Sequence, residues 1–261
     1  MKYFDSHAHY YDARFEEESD GADPILSRLF ATDVSGVINI GTDPATSRLA
    51  IAQAKRYPLM RTALGIHPTD CERLSRDPDA PLADIEALIR DPANKCVCVG
   101  EIGLDYHDPD PDRERQLAYF HAQMELAASL GLPVSIHDRD AHADVLAVMR
   151  AHPGVVCVLH SFSGSAEMAR EVVSLGSYVS FSGTLTFTNA KKPREAAAVV
   201  PRERLLIETD CPYLAPHPLR GTLNHSGNLR YTNAALASIL GIGEEECAAL
   251  TERNAKEVFR L

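Results

Sequence analysis

The sequence predicts a closed (β/α)8 barrel, the TIM-barrel fold, from three observations. Eight short apolar runs typical of strands alternate with helical patterns, and such alternation implies parallel pairing. The length of 261 residues suits one barrel of this kind. No linker, repeat or low-complexity segment divides the chain, so residues 1–261 are expected to form a single domain. A doubly wound open sheet is the structural alternative.

The predicted elements follow one another along the whole chain. The eight strands are Lys2–Asp5, Gly36–Gly41, Arg61–Ile66, Cys96–Ile102, Pro133–His137, Val155–His160, Tyr178–Ser182 and Leu205–Asp210. The helices are Ala45–Arg56, Leu82–Arg90, Asp112–Leu130, Ala141–Ala151, Ala166–Leu175, Asn233–Ile239 and Glu244–Phe259. Asp112–Leu130 is the clearest helix, because Asp112 suits a helix start and Gly131 followed by Pro133 ends it. Pro212–Arg230 is rich in Pro, Gly and Asn and is expected to be a long functional loop.

The composition excludes several classes of protein. The net charge of −11 argues against a non-specific, basic nucleic-acid binder. It is compatible with a metal enzyme that acts on phosphates, because bound divalent cations reverse the local sign of charge. No apolar run is long enough to span a membrane, and the six cysteines form no Cys-x-x-Cys pair, which favours reduced thiols. We expect a soluble, cytoplasmic protein with no membrane association and no obligate protein partner.

Residues of metal-ligand type stand at the predicted carboxyl ends of five strands, the end at which TIM-barrel active sites lie. The candidate ligands are His7, His9, Glu101, His137, His160 and Asp210. Six nitrogen and oxygen ligands exceed what one tetrahedral ion needs, so two divalent ions that share Glu101 as a bridge fit better. Asp210 could take the proton from an attacking water. Glu101 and Asp210 are therefore the catalytic candidates, and hydrolysis is the predicted reaction.

Two more carboxylates are expected on the same sides of their strands as ligand candidates. Glu208 shares a strand side with Asp210, and Asp5 shares one with His7, since residues two apart on a strand point the same way. If those sides face the barrel interior, both carboxylates lie beneath the metal site. They would then orient ligands or provide a third metal position. A salt bridge inside the barrel is the alternative reading for each.

Six segments together resemble the TatD family of metal-dependent hydrolases. They are Asp5-Ser6-His7-Ala8-His9, Gly65-Ile66-His67-Pro68, Gly100-Glu101-Ile102-Gly103-Leu104-Asp105-Tyr106, Leu132-Pro133-Val134-Ser135-Ile136-His137-Asp138-Arg139-Asp140-Ala141, His160-Ser161-Phe162-Ser163-Gly164 and Glu208-Thr209-Asp210-Cys211-Pro212-Tyr213-Leu214-Ala215-Pro216. The resemblance covers essentially the whole chain. It implies a TIM barrel, a site for divalent metal (Mg, Mn or Zn), and deoxyribonuclease activity, of the 3'-5' exonuclease or abasic-site endonuclease type. It assigns metal binding to the same six residues.

Other matching positions suggest contacts with substrate. These are His67, Arg139, Ser163, Arg220 and Asn224. A structural ion pair is the competing explanation for Arg139 and Arg220, and a plain turn is the competing explanation for Ser163. The chain also departs from the family pattern, with Ser161 where Cys is usual and His225-Ser226 where Glu-Pro usually follows Asn224. The second departure leaves the shape of the last loop, and with it the substrate preference, open.

Two other functions compete with the nuclease. The first is an amidohydrolase-type barrel that cuts an ester, lactone or amide of a small molecule or of an aminoacyl-tRNA. Many such enzymes bridge their metals with a modified lysine at the end of strand four, where this chain has Glu101. The second is a non-catalytic binding scaffold, which the intact ligand set disfavours. If DNA is the substrate, the acidic net charge favours local contact with a single-stranded end or a damaged site over an extended duplex footprint.

Overall fold

The computed structural model describes residues 1–261 and shows a (β/α)8 barrel. Its eight strands pair in parallel and in chain order, from β1 to β8. The strands are β1 Tyr3–Ala8, β2 Val34–Gly41, β3 Met60–Leu64, β4 Cys96–Asp105, β5 Val134–Arg139, β6 Cys157–Leu159, β7 Tyr178–Phe181 and β8 Leu205–Ile207. The barrel closes just beyond β8, where Asp210 N donates to His7 O at 2.9 Å and His9 N to Cys211 O at 2.7 Å. The predicted fold class is confirmed.

Eleven α-helices accompany the strands. They are α1 Arg14–Glu18, α2 Ala22–Thr32, α3 Pro44–Arg56, α4 Pro68–Cys71, α5 Asp79–Arg90, α6 Arg113–Leu130, α7 His142–Ala151, α8 Ala166–Ser174, α9 Lys191–Val199, α10 Leu229–Leu240 and α11 Glu244–Val258. Single turns of 3-10 helix lie at Pro92–Asn94, Gly183–Thr186, Arg202–Arg204 and Ser226–Asn228. None of the helices has both the length and the apolar character needed to span a membrane.

Local signals in the sequence explain where the clearest helices begin and end. Asp112 caps α6 by accepting from Arg115 N at 3.2 Å, and Gly131 ends it with a left-handed φ of 65°, as predicted. Four helices, α1, α2, α4 and α9, are missing from the prediction. In α2 the signal was present, because Ala22, Leu26 and Leu29 are buried at helical spacing.

The barrel interior is layered in a way that places the polar site at one end. Seven strands contribute to a buried apolar cluster that includes Phe4, Ile38, Cys98 and Leu206, and the end of α11 packs against it. Buried serines lie nearer the carboxyl ends of the strands, where Ser6 Oγ and Ser180 Oγ are 3.1 Å apart. The imidazoles and carboxylates of the candidate site lie beyond this hydroxyl layer. All the cysteines are free, and all but Cys96 are buried.

Candidate metal centre

The six predicted ligands meet at the carboxyl end of the barrel. Glu101 and His137 lie within β4 and β5, and His7 lies within β1. His9 immediately follows β1, and His160 immediately follows β6. Asp210 lies three residues after the end of β8 and has a left-handed backbone conformation, with φ of 56°. Parallel strands bring their carboxyl ends to one face of a barrel, which is why residues far apart in sequence converge here.

Glu101 lies at the centre of this group, with one oxygen toward each of two sets of histidines. Its Oε2 lies 3.3 Å from His7 Nε2 and 3.6 Å from His9 Nε2. Its Oε1 lies 2.9 Å from both His137 Nδ1 and His160 Nε2. A carboxylate placed in this way is suited to bridge two ions.

Asp210 completes the side of the site formed by His7 and His9. Its Oδ1 lies 3.4 Å from His9 Nε2 and 3.8 Å from His7 Nε2. Those two imidazole nitrogens are only 3.1 Å apart. Two lone pairs at this distance repel each other unless a proton or a cation lies between or beside them. A divalent cation bound by both nitrogens would remove this repulsion, as a proton on one ring would.

The hydrogen bonds of the other ring nitrogens fit metal ligation. His9 Nδ1 donates to Ile40 O at 3.0 Å, because a carbonyl oxygen can only accept. His137 Nε2 and His160 Nδ1 lie 2.9 and 3.1 Å from carboxylate oxygens of Asp105 and Glu208, respectively. In each ring the nitrogen that carries the proton makes this bond, and the lone pair of the other nitrogen is directed into the site. This is the tautomer that a metal ion requires.

Glu208 supports His160 from beneath and is completely buried. Its Oε1 accepts from His160 Nδ1 at 3.1 Å and from Ser161 N at 2.7 Å. Its Oε2 is buried with no hydrogen-bond partner. A buried carboxylate oxygen without a donor is costly, so a nearby positive charge would stabilise it. This observation also fits a site built for metal ions.

Electrostatics at the site favour an ionised Glu101. Burial alone would raise its pKa, but the surrounding imidazoles of His160, His67 and His7 hold the pKa of this carboxyl well below its usual range. Burial lowers the pKa of His7, and burial together with His137 lowers the pKa of His67 to about 3. Although burial opposes it, the neighbouring carboxylates raise the pKa of His9, His137 and His160. A divalent cation would therefore have to displace protons from these rings, because an imidazole binds a metal ion only in its neutral form.

The carboxylate of Asp5 makes no hydrogen bond to the side chain of a ligand candidate, so it does not orient an imidazole as the parity argument expected. Its carboxylate accepts from Thr209 N at 2.9 Å, from Thr209 Oγ1 at 2.6 Å and from Ser226 Oγ at 2.6 Å. These contacts join β1 to the segment after β8 and to the last loop. The register of β1 against β2 is also irregular between Asp5 and Ala8, which breaks the simple alternation of sides.

A cavity of about 800 Å³ is lined by five of the six ligand candidates, and only His7 is buried beneath its lining. Three of the five predicted substrate contacts line it, namely His67, Arg139 and Ser163. The other two do not. Arg220 is exposed and lies over the Phe187 ring, with Cζ 4.2 Å from the ring centroid. Asn224 is fully buried, and its Nδ2 donates to Thr209 O and Tyr213 O at 3.0 and 2.7 Å. Asn224 therefore holds the loop, and the geometry does not place Arg220 at the cavity.

His67 differs from the ligand candidates in the ring nitrogen that faces Glu101, which carries a proton in the neutral ring. Its Nδ1 accepts from Thr69 N at 3.2 Å, at the start of α4. In the neutral ring the proton is then on Nε2, which lies 3.6 Å from Glu101 Oε1. His67 thus presents a donor to the cavity, whereas the ligand candidates present lone pairs. This supports a substrate contact more than metal ligation.

Sequence reasoning missed several residues that shape the site. Asp105 orients His137, and Ser135 Oγ lies 3.2 Å from His7 Nδ1. Asp105 could have been found, because it shares strand parity with Glu101 in β4. Tyr11 and Tyr213 line the cavity, and nothing in the sequence pattern separated them from structural aromatics. His225 and Ser226, where the chain departs from the family pattern, lie outside the cavity lining.

Comparisons with known proteins agree with this geometry. The family model described as "TatD related DNase" matches residues 4–260. An "uncharacterized metal-dependent hydrolase YabD" of Bacillus subtilis is 37% identical over 264 residues, covering 99% of both chains. A protein of Citrobacter koseri named "3'-5' ssDNA/RNA exonuclease TatD" is 33% identical over 248 residues, covering 92% of this chain and 93% of that one. The crystal structure of the TatD homologue YJJV from Escherichia coli has a TM-score of 0.90 at 32% identity, with 99% and 98% coverage.

Proposed function

We propose that this chain, which belongs to the TatD family of metal-dependent hydrolases, is a deoxyribonuclease that cleaves single-stranded DNA from an end. The observation that carries the proposal is Glu101, whose two carboxylate oxygens face two separate sets of imidazoles. This arrangement supports a pair of ions, and paired ions are typical of enzymes that hydrolyse phosphodiesters. The nuclease name of the Citrobacter koseri relative supports the choice of nucleic acid.

The residues divide into two sets around Glu101. His7, His9 and Asp210 would hold an ion at Oε2, and His137 and His160 would hold an ion at Oε1. Nitrogen and oxygen ligands of this kind accept zinc, manganese or magnesium. When bound, the ions would lower the pKa of water and neutralise charge on a phosphoryl oxygen. We infer two ions per chain from these two sets.

Side chains at the cavity can accept the proton of the attacking water and bind the phosphates of the substrate. Asp210 lines the cavity, and although burial opposes it, the hydrogen bond with His9 and nearby imidazoles keep the pKa of Asp210 below its usual range. Asp210 is thus ionised and would accept the proton of the attacking water. His67, with its proton on Nε2, would donate a hydrogen bond to a non-bridging phosphate oxygen. Arg139 at the cavity rim would contact a flanking phosphate.

The charge around the cavity suits a short contact with nucleic acid. Its lining includes one arginine, Arg139, and the carboxylates Asp12, Asp70, Glu101, Asp105, Asp138 and Asp210. Such a lining repels an extended polyanion unless metal ions are bound. Binding through the ions and a few donors at one strand end is therefore favoured over a long footprint, and cleavage should depend only weakly on salt.

The test uses two samples of single-stranded DNA, one labelled at each end. Protein freed of metal is assayed on both samples, alone and after addition of magnesium, manganese or zinc. We expect metal-dependent shortening from one end. Glu101→Ala should abolish it. Glu203→Ala should keep it, because Glu203 is exposed and precedes β8, at the opposite end of the barrel.

Other results would change the assignment. Cleavage only at an abasic position, with no shortening, would replace the exonuclease with an abasic-site endonuclease. No cleavage with any metal, by protein shown to bind two ions, would overturn the nuclease proposal and favour a small-molecule ester or amide as substrate.

A further inference from the structure

One aromatic side chain at the cavity mouth has no part in the metal chemistry. Tyr213 lines the cavity and is 43% exposed. Five other large apolar residues are also exposed, namely Met1, Leu49, Leu59, Leu175 and Leu261, but none of them is aromatic and none lines the cavity. An exposed aromatic ring loses the stabilisation that burial would give it, so its position beside a catalytic cavity calls for a ligand-binding explanation.

The ring is held in place from several directions. Its hydroxyl donates to Asp12 Oδ2 at 2.6 Å, and the Arg14 guanidinium carbon lies 5.5 Å from the ring centroid. Its backbone N donates to Asp210 O at 2.9 Å, and its carbonyl accepts from Asn224. Tyr213 is therefore tied directly to a metal-ligand candidate. A ring fixed in this way costs little entropy when a ligand stacks on it.

The surroundings of the ring favour a flat, partly apolar ligand group. Polar and charged residues dominate the cavity lining, and Tyr11, Tyr213, Leu214 and Pro193 supply its apolar surface. Tyr11 is turned inward, with its hydroxyl 3.3 Å from His9 Nδ1. Leu214 directly follows Tyr213 in the chain, and both residues line the cavity. Burial and Asp12 raise the pKa of the Tyr213 phenol, so the ring is uncharged and does not repel a nucleotide.

We propose that Tyr213 is a specificity-determining residue, which stacks on the unpaired nucleobase of the nucleotide beside the scissile phosphate. This inference rests on the proposed nuclease function and adds to it the base as a recognised group. Stacking on one aromatic ring tolerates any base, because every base has a π face. The enzyme would then bind an unstacked base more tightly than a stacked or missing one, as at a frayed or single-stranded end, without preference for sequence.

The test compares substrates with and without a base. Wild-type, Tyr213→Leu and Tyr213→Phe enzymes, all loaded with the same metal, are assayed on two single-stranded oligonucleotides. One has natural nucleotides at the cleaved end, and the other has base-free tetrahydrofuran residues there. Tyr213→Leu should raise KM for the natural substrate by about tenfold, leave kcat near wild type, and leave both parameters unchanged on the base-free substrate. Tyr213→Phe keeps the ring and loses only the hydroxyl bond to Asp12, so its KM on the natural substrate should stay closer to that of wild type than to that of Tyr213→Leu.

The outcomes separate this inference from the proposed function. Equal loss by Tyr213→Leu on both substrates would assign Tyr213 a structural role and overturn the inference, while leaving the nuclease proposal intact. Unchanged KM on both substrates would overturn it in the same way. If the wild-type enzyme cleaved neither of the two substrates, both the nuclease proposal and this inference would be overturned.

Discussion

Glu208 offers a test that separates stability from metal affinity. In Glu208→Ala, His160 Nδ1 and Ser161 N both lose the acceptor that lies 3.1 and 2.7 Å away. Each buried donor left without a partner costs about 1–3 kcal/mol, so the free energy of unfolding should fall by about 2–6 kcal/mol. In Glu208→Gln the carbonyl oxygen keeps both bonds, and the loss should stay below about 1 kcal/mol.

The same glutamine should still weaken metal binding. An amide does not raise the basicity of His160 as a carboxylate does, and loss of such outer support lowers metal affinity about 10- to 100-fold. Denaturant unfolding of chelated protein measures the stability, and isothermal titration of metal-free protein with manganese or zinc measures the affinity. Glu203→Gln, an exposed carboxylate, is the matched control. Wild-type affinity for both ions in Glu208→Gln would refute the assigned role of Glu208.

Three further predictions concern the surroundings of the site. The hydrogen bond with Asp138 raises the pKa of His142. A histidine whose pKa is raised by folding stabilises the folded state fully below about pH 6.5. This stabilisation is lost as the pH rises through the pKa of His142 in the folded protein. The Tm difference between metal-loaded wild type and His142→Asn should therefore shrink from pH 6 to pH 8, and a constant difference would contradict this. Asn224→Ala removes donors to two buried carbonyls and should lower the free energy of unfolding by about 2–5 kcal/mol; an unchanged denaturation midpoint would show that the amide does not hold the loop. Arg220→Ala should leave kcat/KM within about twofold, because the guanidinium lies over Phe187 outside the cavity; a tenfold loss would mean that Arg220 reaches the substrate.

The fold and the metal-ligand candidates were predictable because local rules govern them. Alternating strands and helices imply a parallel barrel, and a parallel barrel gathers its strand ends on one face. The side chains of His7, Glu101 and His160 meet for that reason alone. The position of Glu208 beneath His160 also followed from strand parity, although β8 ends at Ile207.

The remaining errors arose where distant contacts decide the local structure. The register of β1 against β2 is irregular between Asp5 and Ala8, and the carboxylate of Asp5 bonds to Thr209 and Ser226, which are distant in sequence. Asn224 and Arg220 could not be placed, since the last loop takes its shape from bonds to Thr209 and packing on Phe187. Helix α9 was missed because it buries only two alanines, which gives no apolar stripe to detect.

The most direct test of the account is a crystal structure of the manganese- or zinc-loaded protein with anomalous scattering data. The account predicts two anomalous peaks about 3.5–4 Å apart, with one Glu101 oxygen on each. His7, His9 and Asp210 should ligate one ion, and His137 should ligate the other together with His160. A single peak, or two peaks of which only one contacts Glu101, would contradict the bridging role on which the proposed chemistry depends.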